Sequence, residues 1–264
     1  MIFSDLHSHS LFSDGKTSIR EMLQGALEKG LLAYGISDHS HTPEDESYCM
    51  KKEALPVYLA ECRELKKEYA GRIEFYCGLE KDALSEVDPE RFDYLIGSVH
   101  YVKVGASLFD ADGKEGQERF LKSVGDKYEF ARRYFDAVVR HVQKGEFQII
   151  GHFDVITKFG LYDGDDPLYR RLAAEALEEV LKSGRFLEVN TGAMARGYRE
   201  NPYPDKFLLR LAAKNGAKAV LSGDAHRPDR IAFGFSEAVR LLKECGFSSV
   251  WRFSKGAFCE EKIH

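Results

Sequence analysis

Short apolar runs, most of them ending in a histidine or a carboxylate and followed further on by a stretch of helical periodicity, recur along the chain and leave it few architectures. Strands are predicted over residues 31–37, 73–79, 92–99, 147–150, 186–189 and 218–222, with a last strand-like piece over 249–253. Ahead of the first of these, Ile19, Met22, Leu23, Ala26 and Leu27 recur at helical spacing, with Thr17 or Ser18 as N-cap and Gly30 as stop. Further helices are predicted over 53–69, 120–143, 167–182, 207–214 and 236–244, with Gly125 a candidate break in the second of them. Residues 105–116 read as a Gly- and Asp-containing loop of the kind that covers a site. Strand and helix alternating about seven times without a composition break predict a parallel sheet closed into a barrel, in one domain over 1–264. Element order alone leaves an open doubly wound sheet as the competing architecture, although no Gly-x-Gly-x-x-Gly follows the first strand.

The strand ends share one chemistry. His7 and His9 stand two apart, and in a strand such residues face the same way, so both imidazoles can serve one metal ion. Asp38-His39-Ser40-His41, Glu80, His100, His152, and Asp224 with His226 close the later strands. In a parallel barrel these ends converge on one face, where the loops build the site. Of the nine histidines only His141 and His264 lie outside these clusters, whereas ordinary surface histidines would scatter over the helices too. Imidazole and carboxylate together suit Zn²⁺, Mn²⁺ or Fe²⁺. The two oxygens of Glu80 can bridge two ions, and the candidate ligands exceed what one ion takes. Cys49, Cys62, Cys77, Cys245 and Cys259 are odd in number and widely spaced, which argues against a disulfide framework and a thiolate zinc site alike.

A net charge of -5 gives no basic footprint for nucleic acid. No apolar run approaches the roughly 18 residues of a membrane span, and the start turns polar too early for a signal peptide, so a cytoplasmic protein with no membrane partner is expected.

His7-x-His9, Asp38-His39, Gly78-Leu79-Glu80, Ser98-Val99-His100, Gly151-His152 and Asp224-Ala225-His226, spread over residues 5–226, resemble the motifs of the polymerase and histidinol phosphatase (PHP) family. The resemblance implies an α/β fold, a distorted (β/α)7 TIM-like barrel, holding a trinuclear centre of three divalent metal ions. It places one ion on His7, His9, Glu80 and Asp224, a second on Glu80, His100 and His152, and a third on Asp14, His39 and His226; some relatives carry His at the Asp14 position. His152-Phe153-Asp154 followed by Lys158-Phe159-Gly160, and Glu188-Val189-Asn190-Thr191 followed by Ala195-Arg196, are similar to the branch that hydrolyses L-histidinol phosphate in histidine biosynthesis. Where that branch often has arginine, Lys158 is a point charge without the fork.

The implied activity is hydrolysis of a small phosphomonoester by a hydroxide held between two ions, with Glu80, Asp224, His226 and Arg196 as catalytic residues. His41, Lys158, Arg196 and Arg199 would contact substrate, and a metal-bound water, Asp154 or His41 would be candidates to protonate the leaving group. Asp110, Asp112 and Glu115 read as solvated loop residues. The enzymatic alternatives are a PHP-type exonuclease or a nucleotide or phosphotyrosine phosphatase. A non-catalytic metal-binding regulatory module is the other alternative, and the full set of expected ligands argues against it.

Overall fold

The computed structural model describes residues 4–263. Strands β1 (Ser4–Asp5), β2 (Ala33–Ile36), β3 (Glu74–Asp82) and β4 (Tyr94–Ser98) follow one another in parallel. After an antiparallel hairpin, β5 (Tyr101–Val104) and β6 (Ser107–Asp110), the sheet continues through β7 (Ile149–Ile150), β8 (Phe186–Asn190), β9 (Lys218–Ser222) and β10 (Ser249–Ser254), and ends on antiparallel β11 (Ala257–Lys262). The helices are α1 (Ile19–Glu28), α2 (Leu55–Glu68), α3 (Lys114–Val124), α4 (Lys127–Lys144), α5 (Pro167–Leu181), α6 (Gly192–Ala195), α7 (Lys206–Lys214) and α8 (Phe235–Cys245).

Just beyond β1 and β9, Ser8 pairs with Ala225 in parallel. The His9 amide donates to the Ala225 carbonyl at 2.9 Å and the Ala225 amide to the His7 carbonyl at 3.2 Å. That bridge joins the first strand to the seventh of the parallel series and rules out the open doubly wound sheet. Lower down, β9 pairs with β10 instead, Trp251 against Val220. The result is a distorted (β/α)7 TIM-like barrel, joined at the carboxyl ends of its strands and parted at the other end. There the β10–β11 turn is tied to the start of β3, Ser254 Oγ and the Lys255 amide donating to Glu74 at 3.1 and 2.8 Å.

Strand alternation divides the barrel interior into layers. Tyr76 and Glu80 on β3, Tyr94 and Ser98 on β4, and Val220 and Ser222 on β9 share faces, because residues an even number apart in a strand point the same way. The lower layer is apolar: Leu6, Ala33, Tyr76, Tyr94, Ile96, Ile149, Val220 and Phe253 form one buried cluster. Tyr94 crosses this layer, and a Cβ at Gly35 or Gly78 would lie 2.1 Å from its hydroxyl or 2.3 Å from its ring, so both strands need glycine there. The upper layer carries Glu80, Ser98, Glu188 and Ser222, and it becomes the floor of the site.

Ser18, not Thr17, caps α1, in a capping box with Glu21. The helix expected over 120–143 is two helices, because Gly125 takes φ 77° and Asp126 caps the second. The loop expected over 105–116 is largely ordered as β6 and the start of α3, and β11 was not legible as a strand. No helix among the described residues is long and apolar enough to cross a membrane.

Candidate metal centre

Every histidine predicted as a ligand lies at or just beyond the carboxyl end of a barrel strand, and the strands bring their rings together. His9 stacks on His39 with centroids 4.3 Å apart and lies 4.4 Å from His226; His100 lies 5.0 Å from His39 and 5.1 Å from His152. Glu80 sits among them, fully buried. Its Oε1 approaches His152 Nε2 at 2.9 Å and His100 Nε2 at 3.4 Å, while Oε2 approaches His39 Nδ1 at 2.8 Å, His7 Nε2 at 3.2 Å and His9 Nε2 at 3.7 Å. Asp224 Oδ1 lies 3.2 Å from His9 Nε2, and Asp14 Oδ2 lies 3.1 Å from His226 Nε2.

Three sets of side chains offer one ligand atom each, all within 4.8 Å of one another: His9, Asp14, His39 and His226; His7, His9 and Asp224; and His39, Glu80 and His100. These sets overlap the expected groupings without repeating them. His9 and His39 each stand in two sets, and His152 stands beside Glu80 but in none.

The residues fit divalent ions on an independent ground. His7 Nε2, both ring nitrogens of His9, His39 Nδ1, Glu80 Oε2 and Asp14 Oδ1 are buried without a hydrogen-bond partner among the described residues. Buried polar atoms are ordinarily bonded. Here they crowd within a few ångströms yet are not aligned on one another, the arrangement expected of donors aimed at a shared central cation.

The electrostatics agree. Burial, with His39 and His226 beside it, pushes the His9 imidazolium down to about 3, so at neutral pH the ring is neutral and one of its nitrogens offers a lone pair. Burial opposes ionisation of Glu80, but His7, His39 and His100 outweigh it and hold the carboxyl well below its usual range. At Asp224 burial is likewise overcome, first by Arg196 and then by His7. His7 and His100 are raised despite burial, the first by Glu188 and Glu80 and the second by Glu80 and Asp82. The carboxylates thus demand positive charge at the centre, which protons or metal ions supply.

Buried carboxylates hold the ligands from behind. Glu188 Oε1 lies 2.5 Å from His7 Nδ1, and Asp82 Oδ2 lies 2.9 Å from His100 Nδ1. Asp38 accepts from the amides and hydroxyls of Ser10 and Ser13, at 2.7 and 2.7 Å and at 3.1 and 2.5 Å. Asp5 accepts from the Gly223 and Ala232 amides, both at 2.9 Å, which fastens the first strand to the turn bearing Asp224.

Above this floor opens a cavity of about 550 Å³, lined by Asp14, His39, Glu80, His100, His152, Asp224 and His226 together with the cations Lys16, Lys158, Arg196, Arg227 and Arg230. Arg196 donates to the Asp224 carboxylate and carbonyl, both at 3.1 Å. Lys158 Nζ lies 2.8 Å from Asp112 Oδ1 and over the ring of Tyr198, which is half exposed at the cavity wall.

A family model described as PHP domain matches residues 5–192. The chain belongs to the PHP family. A probable histidinol-phosphatase of Deinococcus radiodurans is 36% identical over 93% of this chain and 95% of its own length. The histidinol-phosphatase of Bacillus subtilis is 23% identical over 91% of this chain and 98% of its own. The solved structure of a histidinol phosphate phosphatase from Lactococcus lactis, complexed with zinc, L-histidinol and phosphate, is similar with a TM-score of 0.76 and 26% identity. It covers 97% of this chain and 98% of that one.

Two residues expected at the substrate of this PHP protein lie elsewhere. His41 turns into a separate cavity with Met50, Leu55 and Leu79, and its Nε2 lies 2.8 Å from Glu46 Oε1. The cause is a bond to β3: the Ser40 amide donates to the Glu80 carbonyl at 2.9 Å, and beyond it the chain leaves the barrel mouth. Arg199 is spent on Thr157 and Asp205 and stacks on Tyr203, away from the cavity lining. Asp154, considered as a proton donor, is fully buried and accepts the Asp205 amide at 3.0 Å. Asp112, read as a solvated residue, instead lines the cavity. Asp82 and Tyr198 were not singled out and Glu188 was named only within a motif, without a role, although a carboxylate inside an otherwise apolar strand run, as in Phe186-Leu187-Glu188-Val189, is a usable signal.

Proposed function

We propose that the chain is a metal-dependent phosphomonoesterase that hydrolyses L-histidinol phosphate to L-histidinol and phosphate. The observation that carries the reading is the set of buried, unpartnered nitrogen and carboxylate atoms that crowd at the floor of one cavity, with Arg196 beside them. The cavity has the size of a small-molecule site rather than of a polynucleotide groove. The similarity to the Lactococcus lactis enzyme, which carries zinc, L-histidinol and phosphate, supports the substrate.

On this reading His7, His9, Asp14, His39, Glu80, His100, His152, Asp224 and His226 hold three divalent ions, Zn²⁺, Mn²⁺ or Fe²⁺. Bound there, the ions would supply a hydroxide nucleophile at neutral pH and neutralise charge on the phosphoryl oxygens. Glu80 divides its two oxygens between His100 and His152 on one side and His7, His9 and His39 on the other, as a bridging carboxylate requires. Asp224 holds the Arg196 guanidinium in place, so the fork meets the phosphoryl group without first being ordered. Lys158, on the same cavity lining and steadied by Asp112, adds a second positive charge. Neither Asp154 nor His41 faces the substrate, so the leaving alkoxide takes its proton from another group.

The test is phosphate release from histidinol phosphate, a nucleotide and a phosphotyrosine peptide at matched concentrations, with loaded and metal-stripped protein. Histidinol phosphate should be strongly preferred and stripping should abolish turnover. Preference for either other substrate would overturn the substrate assignment, and undiminished activity of stripped protein would overturn the metal reading.

A further inference from the structure

Glu188 is wholly buried in β8 beneath the centre, and its two oxygens receive four donors. Oε1 takes the His7 ring at 2.5 Å and the Ser222 hydroxyl at 2.6 Å; Oε2 takes the His152 amide at 2.5 Å and the Asn190 side chain at 3.1 Å. We infer that Glu188 is a positioning residue that locks two separate strand ends of the proposed metal centre at once, fixing the tautomer of His7 and the main-chain position of His152. The inference rests on the metal reading above and adds to it.

The two ends need different help. A carboxylate can only accept, so the His7 proton is held on Nδ1, and Nε2, unpartnered and 3.2 Å from Glu80 Oε2, keeps its lone pair inward. His152 follows β7, a strand of only two residues whose last ladder bond runs from the Gly151 amide to the Gly97 carbonyl at 2.9 Å. Beyond that bond no strand pairing fixes the next residue, and Glu188 supplies the acceptor for its amide. Asp82, by contrast, reaches one proposed ligand, the ring and amide of His100 at 2.9 and 3.2 Å, its other oxygen taking the Leu84 amide at 2.7 Å.

Glu188→Gln turns one of the two oxygens into a donor facing donors: in the Oε1 place it drives the His7 proton to Nε2, where the lone pair was, and in the Oε2 place it opposes the His152 amide, so the two ends are no longer both held. Glu188→Asp keeps the charge but is one methylene too short to span both ends. Both variants should disturb two ligand groups together, whereas Asp82→Asn should disturb one.

The experiment measures zinc content of the full-length protein by elemental analysis across buffered free zinc, together with kcat and KM at each step. Glu188→Gln and Glu188→Asp should bind zinc some 10–100-fold more weakly, lose more than one ion's worth at limiting zinc, and recover kcat as zinc is raised with little change in KM. Asp82→Asn should lose one ion's worth. Wild-type protein that takes up no zinc would sink the metal reading itself; wild-type uptake matched by Glu188→Gln would overturn this inference alone. Nitrogen-15 shifts of His7 in the zinc-loaded wild-type protein decide independently of whether the variants fold. A protonated Nδ1 supports the inference and a protonated Nε2 overturns it.

Discussion

Arg196 gives two nitrogens to Asp224 and still keeps 30% of its side chain open toward the cavity. Lysine cannot make both bonds and reach a phosphoryl oxygen as well. Arg196→Lys should therefore lower kcat/KM about 10–100-fold, an order of one to three kcal/mol for a charge-assisted bidentate contact. Steady-state kinetics with the phosphomonoester checks it, and an unchanged value would remove Arg196 from phosphate binding. His226→Ala should cost more, since it strips a ring from the set shared by His9, Asp14 and His39; turnover should fall at least about 100-fold and metal content should fall with it. At this scale the sequence spoke most clearly where spacing carried meaning, as in His7-x-His9 and Asp224-x-His226. It misled for His41 and Arg199, which sit on loops whose direction is set by bonds to distant partners, Glu80 for the one and Thr157 and Asp205 for the other.

Helix α4 shows how an element can carry a titration unrelated to the centre. His141 is buried on it, with Nε2 3.2 Å from the Lys81 carbonyl and its ring against Phe147. Burial, with Lys81 nearby, pushes its pKa down to about 4. A histidine depressed in the fold contributes stability that is fully present above the unfolded value of about 6.5 and is lost as pH falls toward the folded value. Between pH 7.5 and 5 the protein should lose on the order of 1–2 kcal/mol through this residue alone. His141→Gln, which keeps a donor for Lys81 and cannot titrate, should melt with a shallower dependence on pH, and parallel wild-type and variant profiles would refute it. The helices were largely legible because caps and apolar spacing are local; Gly125 marks the break between α3 and α4 for the same reason. Of the β5–β6 hairpin, β5 was given no assignment and β6 fell inside the stretch from Gly105 to Gly116 that reads as loop, and β11 exists only because β10 is there to pair with it.

Across the whole molecule the centre gathers Asp14, Glu80 and Asp224 on its inner side and Glu188, Asp82 and Asp38 behind them, with the rings between. Cations that bind only the folded state should stabilise it. With zinc at about 100 times its dissociation constant the gain is about 2.7 kcal/mol per site, so chelation should lower the melting temperature by roughly 5–10 °C for each site it empties in a chain of this size. Scanning calorimetry with and without chelator tests this, and coincident transitions would contradict it. The amino-acid sequence determined by itself the order of strands and helices and the placing of His, Asp and Glu at strand ends, because periodicity and capping act over a few residues. Only the tertiary structure decided that Ser8 meets Ala225, that Glu80 divides its oxygens between two sets of rings, and that Glu188 stands under both His7 and His152. Those relations join residues dozens to more than two hundred positions apart, and distances between such residues arise when the barrel closes rather than from any local pattern.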